Sequence, residues 1–435
     1  MDLVKGGTEP LADEEACALI GEALASEGLG GKSVLVLIPD STRSFPFRLV
    51  FTAIHRTLAG KASKLDFLIA LGTHRPMSET AIRAMLGITE EEALGEFADT
   101  RVLNHAWDES AALREVGSIS GERVAELTQG RFSKGIPLAV NKLLFEYDRV
   151  LIAGPVFPHE VVGFSGGHKY IFPGVGAAEF INFFHWFSAL LTIPRVIGHK
   201  DTSVRAIIEE AAAMMPIRVG AFCFAMRGSE LMGISYSDSA YRAWEAAVEL
   251  SRELNVVYCE RPYASVLACA PAMYEDLWTG GKCAYKTECV VADGGELVIY
   301  APHISEVSYT HGKVLDAIGY HVKDYFLSRW AEFERYPWGV LAHSTHVKGI
   351  GTCEGGVERP RIRVKLATGI PRERCERINL EYVDYRTIDA LRWRQSPDRL
   401  FLEHAGETLY RLKDPPEWQR PSRDVGTLEA FRHPI

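Results

Sequence analysis

The chain has 435 residues, 47% of them hydrophobic and 24% charged, and a formal net charge of −9. That is an ordinary globular composition, and the length calls for about two to three domains of roughly 150 residues. No Lys/Arg run dominates any region, which disfavours a nucleic-acid surface. No apolar run reaches the roughly 20 residues that a membrane span needs.

Eight cysteines occur without a C-x-x-C pair, most of them in apolar stretches. A disulfide framework is therefore not expected, and a reducing cytoplasm fits such thiols. The opening Met1-Asp2-Leu3-Val4-Lys5 lacks the basic and apolar regions of a signal peptide.

In chain order, residues 12–28 have helical spacing and end in Gly28-Leu29-Gly30-Gly31. Residues 33–38 form a fully apolar run that ends in Pro39-Asp40-Ser41-Thr42-Arg43. A strand of that kind is buried on both faces, as in a parallel sheet. Helical spacing returns over 46–60. A second strand, 64–71, ends in Gly72-Thr73-His74-Arg75-Pro76, and Ser78-Glu79-Thr80 opens another helix. A third strand, 149–153, ends in Gly154-Pro155. Each polar cluster follows the carboxyl end of a strand, where open α/β sheets bind ligands.

The pattern restarts after about residue 255, with strands expected at 263–270, at 296–301 and, shorter, at 340–342. The expectation is an α/β fold: two α/β domains with parallel-type sheets and an active-site cleft between them. The first spans 1–258 and the second 259–435. The Pro- and charge-rich tail beyond about 412 reads as a loosely packed extension.

The most informative segment is Phe157-Pro158-His159, continued by Gly163-Phe164-Ser165-Gly166-Gly167-His168-Lys169 and then Pro173-Gly174. Glycines let backbone N–H groups approach an anion, and a lysine adds charge. G-x-x-x-x-G-K-[ST] is not matched. Read alone, the loop is a weak phosphate signal or a tight turn with a surface lysine. His159 lies ten residues before Lys169 and His185 sixteen after, while His74 follows the second strand. A lone histidine is more often structural, but three of them near strand ends and a Gly/Lys loop form a pattern. Arg43 offers a bidentate fork and Lys282 a point charge for a carboxylate.

Together these motifs resemble the nickel-pincer nucleotide-dependent lactate racemase family. Its elements are D-x-x-R after the first strand, G-T-H-R after the second, P-H…G-F-S-G-G-x-K-x-x-x-P-G after a later one, a downstream histidine, and an aromatic-x-x-x-Lys segment. All five occur in order over residues 40–282.

The resemblance implies a role for each residue. Lys169 holds a nickel-pincer nucleotide covalently, and His185 is the protein ligand to nickel. His74 and His159 are the paired acid/base residues. Arg43 and Lys282 hold a substrate carboxylate. Ser165, Gly166, Gly167 and Thr73 cradle the cofactor, grouped with Asp40, which orients a neighbouring catalytic side chain. Its partners are a small 2-hydroxy acid and the accessory proteins that make the cofactor. The implied activity is inversion at C2 by hydride transfer. Hydride loss needs an electron sink that side chains lack, and neutral imidazole suits reversible proton transfer. A lone histidine cannot hold nickel, so the other donors belong to the cofactor.

Trp278-Thr279 stands where lactate racemases have Tyr-Gln. The stretch from Tyr336 through Trp338 and His343-Ser344-Thr345-His346 to Lys348 reads as a strand with a polar surface loop, or as a pocket wall for extra substrate hydroxyls. Trp278, Thr279 and Trp338 are then substrate-pocket residues. A sugar acid is the expected substrate, with malate second and an aromatic hydroxy acid, stacked on Trp278 or Trp338, third; lactate itself is a further alternative. Two rival readings remain at this point: a phosphate-binding α/β hydrolase or transferase, and a protein that binds the cofactor without turnover.

Overall fold

The computed structural model describes residues 2–421. The run Ser33–Ile38 is buried on both faces, as its unbroken apolar sequence requires. Val34, Val36 and Ile38 enter one core, with the helices Asp13–Ser26 and Phe47–Leu58; Leu35 and Leu37 enter the other. This is the period-2 alternation of a central strand.

The strand sits in a seven-stranded sheet of order Asp2–Gly6, Glu230–Ser237, Val219–Arg227, Arg149–Pro155, Ser33–Ile38, Lys64–Ile69, Arg101–Asn104. The last five are mutually parallel. Glu230–Ser237 and then Asp2–Gly6 add an antiparallel edge that the hydrophobic pattern does not announce. A second sheet, all parallel, runs Glu381–Tyr382, Arg363–Thr368, Val291–Ala301, Tyr263–Cys269, Arg399–Leu402.

Each sheet has one place where successive crossovers leave in opposite directions. From Ser33–Ile38 the chain moves outward to Lys64–Ile69 and Arg101–Asn104, then returns to the other side as Arg149–Pro155. From Tyr263–Cys269 it moves to Val291–Ala301, Arg363–Thr368 and Glu381–Tyr382, then returns as Arg399–Leu402. A crevice opens at such switch points beyond the carboxyl ends of the strands. Here the two crevices face each other. Lys282 Nζ donates to Thr42 O (3.2 Å), and Ser44 N donates to Glu407 Oε1 (2.9 Å).

One apolar core joins the two sheets. It contains Leu35 and Ile152 from the first, Val266, Leu297 and Leu366 from the second, and the aromatic helix Ala178–Leu191. That helix packs along Trp338–Lys348. The segment expected as a strand at 340–342 followed by a polar loop is thus a single helix. Its residues from Val340 to Val347 are all buried, so no amphipathic period marks it, and a short apolar run is ambiguous between strand and helix. Among the described residues no helix is long and apolar enough to cross a membrane.

The expectation of a loose tail is corrected for residues 413–421. Gln419 is fully buried and donates to Cys289 O (2.6 Å), and the Trp418 ring lies 4.2 Å from the Arg361 guanidinium. The remainder of that tail, 422–435, lies outside the described residues. The strand Leu409–Leu412 pairs in parallel with Val256–Cys259. From it the buried Arg411 donates to Pro194 O (3.2 Å), Ile197 O (2.7 Å) and Gln419 O (2.5 Å). Arg411→Ala is expected to lower the unfolding free energy by on the order of 2–3 kcal/mol, since buried carbonyls lose a charged donor. A urea midpoint equal to that of the parent chain would rule this out.

Candidate active site

A cavity of about 140 Å³ occupies the facing switch points. The loop after Ser33–Ile38 supplies Asp40 and Arg43, and the turn after Lys64–Ile69 supplies Thr73 and His74. His159, Ser165, Gly166 and Lys169 come from the segment after Arg149–Pro155, and His185 from the helix Ala178–Leu191. Trp278, Thr279 and Lys282 close it from the second sheet. A second, more open cavity of about 440 Å³ shares Asp40, Thr73, His74, Trp278 and Thr279 with the first. The inner chamber is smaller than a typical ligand pocket, and the pair falls within the usual range.

The glycine-rich segment is held by its own backbone. Gly163 has φ +82°, and a Cβ there would lie 1.8 Å from His199 O, so only glycine fits. Ser165 Oγ accepts from Phe157 N (2.9 Å) and donates to Pro155 O (3.2 Å). Trp244 Nε1 donates to Ser165 O (2.9 Å), and Arg205, stacked on the Trp244 ring, donates to Gly166 O (3.1 Å). Gly167 does not line the cavity. It lies against Trp244 and Arg205, where a Cβ would meet Trp244 Cβ at 2.7 Å. Its expected contact with a cofactor is thereby corrected to a packing role.

Lys169 projects from this rigid turn into the cavity. Burial, assisted by the Arg43 charge, lowers its ammonium to about 8. Burial and Arg43 likewise lower Lys282 to about 7. His185 donates Nδ1–H to Ile181 O (2.6 Å), one turn back on its helix, which leaves the Nε2 lone pair for the cavity. Burial holds that imidazole neutral, down to about 3. Among the described residues no group of three or more His, Cys, Asp or Glu is arranged to hold a metal.

The two other histidines are held differently. His74 Nδ1 donates to Asp40 Oδ2 in a very short contact, and Asp40 Oδ1 accepts from Thr42 N (3.1 Å) and Thr42 Oγ1 (2.7 Å). Burial opposes ionisation of Asp40, but the partnership with His74 outweighs it and holds the carboxyl well below the usual range. The Asp40 carboxylate thus orients His74 while lining the cavity. His159 instead accepts at Nδ1 from Val161 N (3.1 Å). Burial, with Lys169, Arg43 and Lys286 nearby, pushes its imidazolium well below the ordinary value.

Residues 17–192 match the family model for the lactate racemase N-terminal domain. Over that stretch the chain is similar to the lactate racemase family. It is 29% identical over 154 residues to lactate racemase of Thermoanaerobacterium thermosaccharolyticum and 25% identical over 154 residues to that of Lactiplantibacillus plantarum. Each match covers 35% of this chain and spans 32% of the relative, about a third of its length. A crystal structure of a structural-genomics target from Thermotoga maritima superposes with TM-score 0.86 at 32% identity, covering 94% of this chain and 100% of that one. The lactate racemase apoprotein from T. thermosaccharolyticum shares the fold, with TM-score 0.67 at 17% identity over 91% of this chain and 92% of that one.

The distal wall of the cavity departs from expectation. Trp338 is not part of the cavity lining. It packs on Phe132 and Trp330, and its Nε1 donates to Glu334 O (3.1 Å), because it opens a helix whose next residue, Gly339, faces the cavity instead. Trp278 has the His343 ring stacked on it at 4.2 Å and the His311 ring tilted against it at 4.5 Å, so part of its indole surface is already occupied.

Most of the expected wall donors are also already used. Thr279 Oγ1 donates to Asp276 (3.0 Å), Ser344 Oγ to Gly319 O (2.8 Å), Thr345 Oγ1 to Ala342 O (3.0 Å) and Lys348 Nζ to Asn379 O (2.6 Å). His343 is held by Tyr285 (2.7 Å) and Tyr320 (3.1 Å). The exception is His346, whose buried Nε2 has no hydrogen-bond partner among the described residues and which lines the cavity.

Glu160, Tyr285 and His346 also line this cavity, and Lys286 sits just behind it. Sequence reasoning passed over Glu160 and Lys286; the adjacency of Glu160 to His159, and of Lys286 one helical turn beyond Lys282, were the available signals. With Lys169 at about 8, about half of its amine is neutral at pH 8, against well under 1% for an ordinary lysine. A small amine-directed reagent read by peptide mass spectrometry should therefore modify Lys169 with a midpoint near pH 8; a midpoint near 10 would contradict the burial argument.

Proposed function

We propose that the chain racemises or epimerises a small 2-hydroxy acid at C2, with a nickel-pincer nucleotide attached at Lys169. The observation that carries this is the convergence of Arg43, His74, His159, Lys169, His185 and Lys282 on one cavity. The donor set suits the group. Lys169 offers an amine that loses its proton readily, and the Ile181 hydrogen bond leaves His185 Nε2 bare, where it would serve as a donor to nickel. When bound, that group supplies the hydride acceptor that side chains lack.

The chain's own residues do the remaining work. Arg43 and Lys282 bind the carboxylate, so the acid arrives in one orientation. Asp40 keeps the proton of His74 on Nδ1, so Nε2 is the site that takes the hydroxyl proton. His159 serves the opposite hand. The narrow inner chamber limits the water that reaches the keto acid formed in passing.

For the substrate, the unpartnered Nε2 of His346 favours an acid with a hydroxyl beyond C3, since a buried polar group left unpaired costs about 1–3 kcal/mol. A sugar acid is the first compound to test. The case for malate weakens because Lys348 is bonded to Asn379. The case for aromatic acids weakens because His343 and His311 already pack on Trp278, and Trp338 is not part of the cavity lining.

The chain made without the cofactor-synthesis proteins should be folded and inactive, and co-expression with them should add covalent mass at Lys169. Lys169→Ala should remove both that mass and the activity; turnover by this variant would refute the attachment. His185→Ala should weaken nickel retention. Loaded enzyme should convert gluconate to its C2 epimer faster than it racemises lactate, malate or phenyllactate, and preference for lactate would overturn the substrate reading alone. His74→Ala and Asp40→Asn should each cost on the order of 10²–10⁴-fold in kcat, as loss of a positioned base does.

A further inference from the structure

The two acid/base candidates are not equivalent. His74 has a carboxylate behind it, so its Nδ1 keeps a proton whether or not Nε2 carries one. His159 has a backbone N–H behind it: Val161 N donates to Nδ1, which must therefore be bare. In this form the single ring proton is on Nε2. Such a ring cannot give up its Nε2 proton without becoming an imidazolate, and it cannot gain a proton on Nδ1 without breaking the Val161 bond. To act as an acid toward a substrate oxygen, His159 needs a proton on Nδ1 and an acceptor to hold it.

One carboxylate is within reach. Glu160 Oε2 lies 3.6 Å from His159 Nδ1, and both side chains are largely buried, at 6% and 14% exposure. Burial raises the Glu160 carboxyl, but Lys286 and Arg43 outweigh it and keep it ionised. The cations facing His159 are Lys169 from the glycine-rich turn, Arg43 from the first strand-end loop and Lys286 from the helix Lys282–Thr287; His185 faces it from Ala178–Leu191. Against these, Glu160 is the counter-charge next to the ring.

We propose that Glu160 is a positioning residue for His159, accepting its Nδ1–H in the working form of the ring while Val161 N–H holds the idle form. The inference rests on the proposed racemase reading. The proton balance is simple. The imidazolium carries Nδ1–H, directed to Glu160, and Nε2–H, directed to the substrate oxygen. It gives the Nε2 proton to that oxygen as the C–H bond re-forms, and remains neutral, its proton still on Nδ1 and hydrogen-bonded to Glu160. The Glu160 carboxylate itself stays ionised throughout. Asp40 is the matching device for His74, already engaged.

The test is a double-mutant cycle on the loaded enzyme. Glu160→Gln keeps the size of the side chain and removes its charge. It should lower kcat about 10- to 100-fold with KM nearly unchanged, within the range of acid/base effects. In a His159→Gln background the same change should cost less than about 2-fold, because residues acting as a unit are non-additive. Glu160→Asp should recover part of the loss. An equal drop in both backgrounds would mean that Glu160 only supports the fold, and would overturn the proposal.

A second measurement separates this failure from failure of the racemase reading. In the cofactor-free Lys169→Met chain, whose nearest opposing charge is gone, the His159 ring nitrogens are followed by 15N NMR from pH 8 to 5. The parent of this pair should show Nε2–H at pH 8 and gain Nδ1–H at a pH about one unit higher than its Glu160→Gln derivative does, as loss of a charge-assisted bond requires. Identical behaviour of the two chains, including no protonation in either, would overturn the pairing even if the loaded enzyme racemises its substrate. A one-unit difference would support it even if no 2-hydroxy acid is turned over.

Discussion

Everything in this cleft follows from crowding charge into a space with little water. Arg43, Lys169, Lys282 and Lys286 share it with Asp40, Glu160 and Glu407. An isolated ion pays a large desolvation penalty, so each group must find a partner or shift its protonation. Both outcomes are present. Asp40 finds His74 and stays ionised, while Lys169 and Lys282 shift toward the neutral amine near physiological pH. The opposing sheets make the crowding possible, since each delivers its charged residues from turns anchored on buried parallel strands.

Legibility followed burial symmetry. Ser33–Ile38, Lys64–Ile69 and Tyr263–Cys269 were readable because a strand buried on both faces is an apolar run ended by a polar turn. Asp40, Arg43 and His74 were readable because each follows such a strand end, and His159, Lys169 and His185 because of their spacing around the glycine-rich loop. Trp338–Lys348 was not, since a helix buried all round carries no period. Glu230–Ser237 was hidden because it runs antiparallel beside a parallel sheet, in a position the hydrophobic pattern does not announce.

The side-chain partners were the least legible layer. Nothing in Thr279, Ser344, Thr345 or Lys348 as residue types distinguishes a hydroxyl or amine free to meet a ligand from one already bonded to its own helix or a neighbouring carbonyl. The same holds for the tautomers of His74 and His159, which depend on what stands behind Nδ1: a carboxylate 34 positions earlier in one case, and a backbone amide two residues later in the other. Two histidines that look interchangeable in the chain are therefore chemically distinct in the fold.

The strand that carries Arg411 has a further meaning for how the molecule is made. The carbonyls of Pro194 and Ile197 belong to the first half of the chain, yet their donor is more than two hundred residues downstream. During synthesis the first half can form its seven-stranded sheet from residues up to Ser237, but those carbonyls and the apolar side of Val256–Cys259 stay uncovered until Leu409–Leu412 emerges. At ordinary translation rates that interval is on the order of ten seconds or more. This late-made strand therefore acts as a clasp, and a ribosome that stalls before it releases a nascent chain with an open seam: a natural substrate for chaperones, and for proteases if the stall persists.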